Sequence, residues 1–288
     1  MSPRWNRSVR LHVGADAVKA TARVGWPRAV AIAEVDRAVA TDPSSGSELA
    51  AHAQAIDAAL AELASSASSA GGRLEVDIAS SLLHIDVVEG DFGAQADRQL
   101  HGIAVACVSE MLGDEAAGRA VRWHLQRDER HLLIVALAEA WIDLLQSAAT
   151  TAGLRLASVE PTFLARWNES GRAMKAGHGV FAVCASGDLA IAAVSDGAIA
   201  AVSVGAGVDL RVDPPGPRVQ DRSGAVVASG FSSDSRGMAT VDERVDRFLS
   251  ARGQDPGKQS AFILVAPEST QLAASARWSV VASRELRP

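Results

Sequence analysis

The sequence predicts an α/β protein of two lobes. Short apolar stretches bounded by glycine or proline, which are typical of strands, alternate with longer segments of helical periodicity. The same order of elements occurs twice: a run of closely spaced strands comes first, and helices then alternate with strands. The first run begins at Val9 and the second at Val180. We therefore predict two similar lobes with a cleft between them.

The first lobe begins with three closely spaced strands and an alanine-rich helix. The helix is predicted from Ser47 to about Ala64, where apolar residues recur at helical spacing. A further strand covers Arg73–Ala79, and residues 1–79 form the first part of this lobe. The three opening strands are predicted over Val9–Gly14, Val18–Val24 and Ala29–Val35.

Strands and helices continue to alternate after this point. Amphipathic helices are predicted at Ala94–Leu112 and at Ala138–Ala152, the second of which ends at Gly153. A short helix is predicted at Pro161–Glu169, because proline suits a first helical turn. The strands of this region are predicted over Leu82–Val88, Arg119–Gln126, His131–Leu137 and Leu154–Val159.

The second lobe, which we place at residues 179–288, repeats the pattern. Its second and third strands are joined by Asp196-Gly197, a strong hairpin signal. Residues 205–237 are rich in Gly, Pro and Ser, so a long flexible loop is predicted there. The other elements are predicted as strands Val180–Ala185, Leu189–Ser195 and Ala198–Val204, helix Thr240–Arg252, strand Ala261–Val265, helix Pro267–Ala274 and strand Trp278–Ala282.

The composition excludes several functional classes. A formal net charge of −6 provides no basic surface for nucleic acid, so we expect no nucleic-acid partner. No uncharged apolar stretch reaches the roughly 18–20 residues that span a bilayer, so we expect no direct membrane insertion. Cys107 and Cys184 each lie in an apolar run and form no CxxC pair. This pattern favours a reducing, cytoplasmic compartment.

Several motifs resemble one known family. His12-Val13-Gly14-Ala15-Asp16-Ala17-Val18-Lys19 is similar to D-[IV]-G-x-x-x-[VI]-K, the first phosphate loop of the PilM family of type IV pilus assembly proteins and of its relative GspL of type II secretion. The segment from Leu132 to Asn168 resembles the same family. The second phosphate loop falls at Cys184-Ala185-Ser186, a glycine cluster at Gly205-Ala206-Gly207, and the adenosine loop at Ala266-Pro267.

The resemblance implies the actin-like ATPase fold. In that fold a small α+β subdomain is inserted in the first lobe, and it would occupy about residues 80–150 here. Residues 151–178 would then return to the first lobe. The resemblance also implies a partner: the cytoplasmic N-terminal segment of a PilN-like inner-membrane protein, bound in a groove beside the inserted subdomain.

The phosphate loops depart from the family pattern at the residues that Mg²⁺ binding and ATP hydrolysis require. The two acidic positions, which would hold Mg²⁺, carry His12 and Cys184, and neither is a hard oxygen ligand. Glycine is replaced at two further positions, whereas several family-like residues remain. The sequence therefore predicts a degenerate nucleotide cleft without catalytic residues, metal or cofactor, and with at most weak ATP binding. Its residues are His12, Gly14, Asp16, Lys19, Cys184, Ser186, Asp188, Gly205, Gly207 and Ala266.

These departures predict a non-catalytic scaffold, a pseudo-ATPase held at the inner membrane through its partner. One alternative is an active actin-like ATPase that uses the displaced acids Asp16 and Asp188, each four residues past a lost acidic position. A second alternative is a chain whose role is homo-oligomer or filament contact.

Overall fold

The computed structural model describes residues 7–25, 30–40, 48–66, 72–170, 178–185, 188–206, 233–255, 259, 261–267 and 278–283. Within these residues the α-helices are α1 (Glu48–Ser66), α2 (Asp97–Leu112), α3 (Glu139–Thr151), α4 (Thr162–Ser170) and α5 (Ser233–Ala251). The strands are β1 (Arg7–Val13), β2 (Ala17–Val24), β3 (Val30–Ala38), β4 (Arg73–Ile78), β5 (His84–Glu89), β6 (Arg119–Leu125), β7 (His131–Ala138), β8 (Arg155–Pro161), β9 (His178–Ala185), β10 (Asp188–Ser195), β11 (Ala198–Ala206), β12 (Ala261–Pro267) and β13 (Ser279–Ser283).

Two five-stranded sheets have the same internal order. The first sheet is β3-β2-β1-β4-β8 and the second is β11-β10-β9-β12-β13. In each sheet three strands form an antiparallel meander, and two later strands run parallel to the first strand of that meander. The predicted α/β fold with a repeated order of elements is therefore confirmed.

Alternation along the central strand of the first sheet decides which side chains enter the core. Val9, Leu11 and Val13 are buried on the face that α1 and α3 cover. Arg10 and His12 alternate with them and therefore face the opposite side of the sheet. One face of the sheet is thus an apolar core, and the other carries polar groups toward the cleft.

The inserted unit is a three-stranded antiparallel sheet, β5-β7-β6, covered on one face by α2. Helix α3 does not belong to it, because Trp141, Leu145 and Ala148 are buried in the core of the first sheet. The inserted unit therefore ends near residue 138, where β7 ends, and not near residue 150 as expected.

The uncovered face of the inserted sheet packs on the second five-stranded sheet. Ile85 and Leu133 share an apolar cluster with Phe181 and Val183 of β9, and Phe163 of α4 completes it. The second lobe and the inserted unit therefore have one continuous core. A hinge motion that separated them would expose these side chains to water.

Gln126 joins the same two units through buried hydrogen bonds. Its side-chain nitrogen donates to the Ile199 carbonyl oxygen at 2.7 Å, and its side-chain oxygen accepts from the Ile199 N–H at 2.7 Å. Ile199 lies on β11, the edge strand of the second sheet. Gln126 thus satisfies backbone groups that an edge strand would otherwise leave unpaired.

Two sequence predictions in the second lobe need correction or lie outside the described residues. Helix α5 begins at Ser233, so it includes residues that the predicted loop over 205–237 had taken. Glycine within the helix at Gly237 lowers helix propensity and explains the error. Residues 207–232, and the predicted helix Pro267–Ala274 after its first residue, are outside the described part of the chain.

We predict that Gln126→Ala destabilises the protein by about 1–3 kcal/mol, because both buried backbone groups of Ile199 lose their partner. Urea denaturation measures the change in the free energy of unfolding. Gln146→Ala, at an exposed position of α3, is the matched control and should change stability by less than about 0.5 kcal/mol. Equal stabilities of the two variants would contradict the role of Gln126.

Candidate functional site

The central strands of the two sheets end at turns that correspond to each other. In the first sheet Val13 pairs with Val18, and the Gly14 N–H donates to the Ala17 carbonyl oxygen at 2.8 Å. In the second sheet Cys184 pairs with Leu189. Because parallel strands place their carboxyl ends at one edge of a sheet, these turns are where such a fold offers a ligand site.

Backbone contacts hold the first turn in place. The Asp16 carbonyl oxygen accepts a hydrogen bond from the Val39 N–H at 2.8 Å. The Gly14 carbonyl oxygen lies 3.0 Å from Nε2 of His52, a fully buried residue of α1. The His52 ring also packs edge-on against Trp141, with ring centroids 5.0 Å apart. The one signal of this support that sequence reasoning could have used is a histidine on the apolar face of the predicted helix.

His12 lies at the end of β1 among charged groups, opposite Asp77 of β4 and Lys19 of β2. Burial lowers the pKa of His12 from 6.5 to about 4; Asp77 opposes this shift, and the nearby cations, Arg166 first among them, add to it. His12 is therefore uncharged at neutral pH. It supplies no anionic oxygen at the position where the family that this chain resembles has an acidic residue.

Asp77 and Lys19, two charged neighbours of His12, each form an ion pair with another residue. Nε of Arg10 donates to the Asp77 carboxylate at 2.6 Å, and Nζ of Lys19 lies 3.1 Å from Glu34. Both pairs lie on the polar face of the first sheet. The lysine expected at a phosphate loop thus has a carboxylate partner on the neighbouring strand.

The register of the second sheet corrects the prediction for Cys184. By pairing, Cys184 corresponds to Val13, and Val183 corresponds to His12. Cys184 faces the apolar core beneath α5, whereas Val183 faces the inserted unit. A shift of one residue in a strand turns a side chain to the other face. The second acidic position of the cleft is therefore taken by Val183, which is as unsuited to Mg²⁺ as cysteine is.

Other predicted site residues do not join the cleft. Ala266 is buried in the same core as Cys184, on the α5 side of the second sheet. Gly205 of β11 pairs with Leu189 and adjoins Arg244 of α5, also on that side. Ser186 and Gly207 lie outside the described residues.

Asp188 and Asp16 are the acidic residues that the structure brings toward each other. Asp188 is 3% exposed; one carboxylate oxygen accepts a hydrogen bond from the Ser81 N–H at 3.0 Å, and the other has no partner among the described residues. Burial raises the pKa of Asp188, hydrogen bonding from Ser81 opposes the shift, and repulsion from Asp16 adds to it. The cleft thus contains two carboxylates, one of them buried against the inserted unit.

The acidic side chains of the described residues do not gather into a cluster at the cleft. The described residues contain no group of three or more His, Cys, Asp or Glu side chains that could hold a metal ion. The Ser81–Asp188 hydrogen bond also ties the two sides of the cleft together.

Comparisons with known proteins agree with the geometry. No protein-family model and no curated protein matches this chain. The chain is similar to the cytoplasmic domain of EpsL, an inner-membrane component of the type II secretion system of Vibrio cholerae, with a TM-score of 0.52, 13% identity, and coverage of 96% of this chain and 89% of that chain. It is also similar to the PilM–PilN type IV pilus biogenesis complex, with a TM-score of 0.59, 14% identity, and coverage of 92% and 82%. The chain has the actin-like ATPase fold.

The actin-like fold accounts for the strand order that the two five-stranded sheets share. An actin-like protein has two lobes of the same strand order, and β1 and β9 are their equivalent central strands. In the part of the chain that the structure describes, no helix is both long enough and apolar enough to cross a membrane.

The buried histidine predicts a pH-dependent stability. Below pH 6.5 the unfolded chain binds a proton at His12 before the folded protein does, so stability falls as pH decreases toward about 4. We expect the wild type to lose about 2 kcal/mol more than His12→Asn across this window, after allowance for partial exposure. Urea denaturation at several pH values measures the difference. His124→Asn, at an exposed position, should follow the wild type, and parallel curves for His12→Asn would contradict the prediction.

Asp188→Asn should stabilise the protein by about 1 kcal/mol at neutral pH, because it removes a buried charge and keeps an oxygen for the Ser81 N–H. A carboxyl group whose folded pKa is raised destabilises the folded state above that pKa. The gain should therefore disappear below pH 3.8, where the group is protonated in both states. Thermal unfolding over a pH series tests this, with exposed Asp57→Asn as the control. A loss of stability in Asp188→Asn would instead indicate a required carboxylate.

Proposed function

We propose that this protein is a non-catalytic, PilM/GspL-like scaffold of a type IV pilus or type II secretion assembly platform. It binds the cytoplasmic N-terminal segment of an inner-membrane partner. It therefore works on the cytoplasmic side of that membrane, held there by the partner. The likeness to EpsL and to PilM in its complex with PilN supports this role.

The non-catalytic part of this proposal rests on the side chains near the carboxyl ends of β1 and β9. His12 is uncharged and Val183 is apolar, so the actin-like cleft lacks an acid at both equivalent positions. A fold that keeps its lobes but loses its metal ligands can still present surfaces to other proteins. Scaffold function is the simplest use of such a molecule.

The inserted unit offers a groove for the partner segment. The groove encloses about 330 Å³ between α2 and β6, and β6 is an edge strand of its sheet. Val105 of α2 lines it and is 40% exposed, while Arg119 and Arg122 of β6 supply charge. An extended segment could place apolar side chains on Val105 and run beside the edge strand.

Binding of a synthetic peptide tests this proposal. The peptide is the cytoplasmic N-terminal segment of a single-span inner-membrane protein encoded beside this one, and fluorescence anisotropy measures its affinity. Val105→Asp should weaken binding about tenfold or more, because it places a charge on the apolar wall of the groove. Met111→Asp is the matched control, since Met111 is also on α2, is 44% exposed and does not line the groove. No binding by the wild type, or equal losses in both variants, would refute the proposal.

The proximity of Asp16 and Asp188 favours one second candidate, an ATPase that uses displaced acids. Calorimetry with Mg-ATP separates the two candidates. The scaffold proposal expects no heat of binding and no rise in melting temperature. Binding that is present in the wild type and lost in Asp188→Asn would favour the ATPase.

A further inference from the structure

A row of basic side chains crosses the first sheet near the amino ends of β1, β4 and β8. In strand register, Ser8 of β1 lies between Arg23 of β2 and Arg73 of β4. Arg155 of β8 continues the row, because it pairs with Arg73. The arginine row (Arg23, Ser8, Arg73 and Arg155) thus places three cations and no acidic residue on four adjacent strands.

The arginine row lies on the face of the sheet that is turned away from the core. The residues that follow two of its members, Val9 and Leu74, are 1% and 0% exposed in the core of the first sheet. Alternation along the strands therefore turns the row to the opposite face. There Arg73 and Arg155 are exposed, and the other two members of the row are half-buried. A ligand in solution can therefore reach the Arg73–Arg155 pair.

The backbone holds Arg73 and Arg155 side by side. Adjacent strands lie about 4.8 Å apart, and side chains of paired residues project on the same face. The Arg155 N–H donates to the Gly72 carbonyl oxygen at 3.0 Å, so the pairing of the two strands continues to their ends. Like charges at this spacing repel each other. An anion between the two guanidinium groups would remove that repulsion.

The described protein groups do not neutralise the row. Within the described part of the chain, no carboxylate forms an ion pair with Arg23, Arg73 or Arg155. Nε of Arg23 is buried and has no hydrogen-bond partner among the described residues, whereas buried donors are normally satisfied. Glu75 lies two residues beyond Arg73 on β4, but in the next row, where it pairs in register with Arg10.

We propose that the arginine row binds a phosphate group, with Arg73 and Arg155 as its main ligands. A phosphate monoester carries a charge of about −1.5 to −2 at neutral pH and three acceptor oxygens. It can therefore neutralise two guanidinium groups at once and accept hydrogen bonds from the planar forks of both. A carboxylate has a single charge and two oxygens, which one arginine satisfies. The Ser8 hydroxyl, next to Arg73 in the row, can donate a further hydrogen bond.

This position is separate from the degenerate nucleotide cleft. The row lies near the amino ends of β1, β4 and β8, whereas the first cleft turn follows the carboxyl end of β1. Along β1, the path from Ser8 to Val13 corresponds to about 17 Å of extended strand. The proposal therefore depends neither on ATP binding nor on the scaffold function proposed above.

The phosphate group could belong to a soluble compound or to a lipid headgroup, and two measurements on the full chain distinguish these sources. Thermal unfolding with added inorganic phosphate, at an ionic strength kept constant with KCl, tests a soluble source. Flotation with phosphatidylcholine vesicles that contain phosphatidic acid tests a lipid source, because phosphatidic acid presents a phosphate monoester on a membrane. We expect the wild type to respond in at least one of the two measurements.

Substitutions in the row assign the response to its arginines. R73Q/R155Q should abolish the phosphate-induced rise in melting temperature, or reduce vesicle binding about tenfold or more. R73K/R155K keeps the charge without the planar forks, so its binding should lie between that variant and the wild type. E75Q should bind phosphate more tightly than the wild type, because it removes the carboxylate of the next row.

The matched control is R98Q/R127Q, which changes the net charge by the same amount. Arg98 and Arg127 are exposed arginines of the inserted unit, outside the row, so this variant should respond as the wild type does. Thermal melts without phosphate establish that every variant is folded. No response of the wild type in either measurement, or equal losses in the two glutamine variants, would overturn the proposal. So would equal binding of acetate, or equal flotation with phosphatidylserine vesicles of the same surface charge.

Discussion

The contact between Gln126 and Ile199 lies at the junction on which the rest of this structure depends. It closes one side of the apolar cluster that the inserted sheet shares with the second five-stranded sheet. Burial of that cluster joins two parts of the chain that are distant in sequence. Because the side chains are apolar and the edge strand is satisfied, separating the two parts would cost both hydrophobic burial and hydrogen bonds.

This junction constrains the actin-like cleft. The Ser81–Asp188 hydrogen bond lies between the turn that precedes β5 and the start of β10, so the inserted unit and the second lobe also meet at the cleft. The side chains at the equivalent strand ends are an uncharged histidine and a valine, His12 and Val183. One hydrogen bond, between the Ser81 N–H and the Asp188 carboxylate, therefore joins the two sides of the cleft.

A joined body of this kind can present a surface in a fixed position. The groove beside α2 lies on the inserted unit, which shares its apolar cluster with the second sheet. For the proposed scaffold role, such a body would hold a bound segment at a constant position relative to the rest of the molecule.

The sequence by itself determined the alternation of strands and helices, the repeat of the two lobes and the histidine at the first acidic position of the resembled family. These follow from local patterns: apolar periodicity, turn residues and the identity of His12. The tertiary structure alone decided which face each side chain meets. It moved the second acidic position from Cys184 to Val183, because side chains alternate between faces and only pairing with neighbouring strands fixes the register. It assigned α3 to the first core and placed Arg244 of α5 beside Gly205 of β11, because those contacts join residues far apart in the chain.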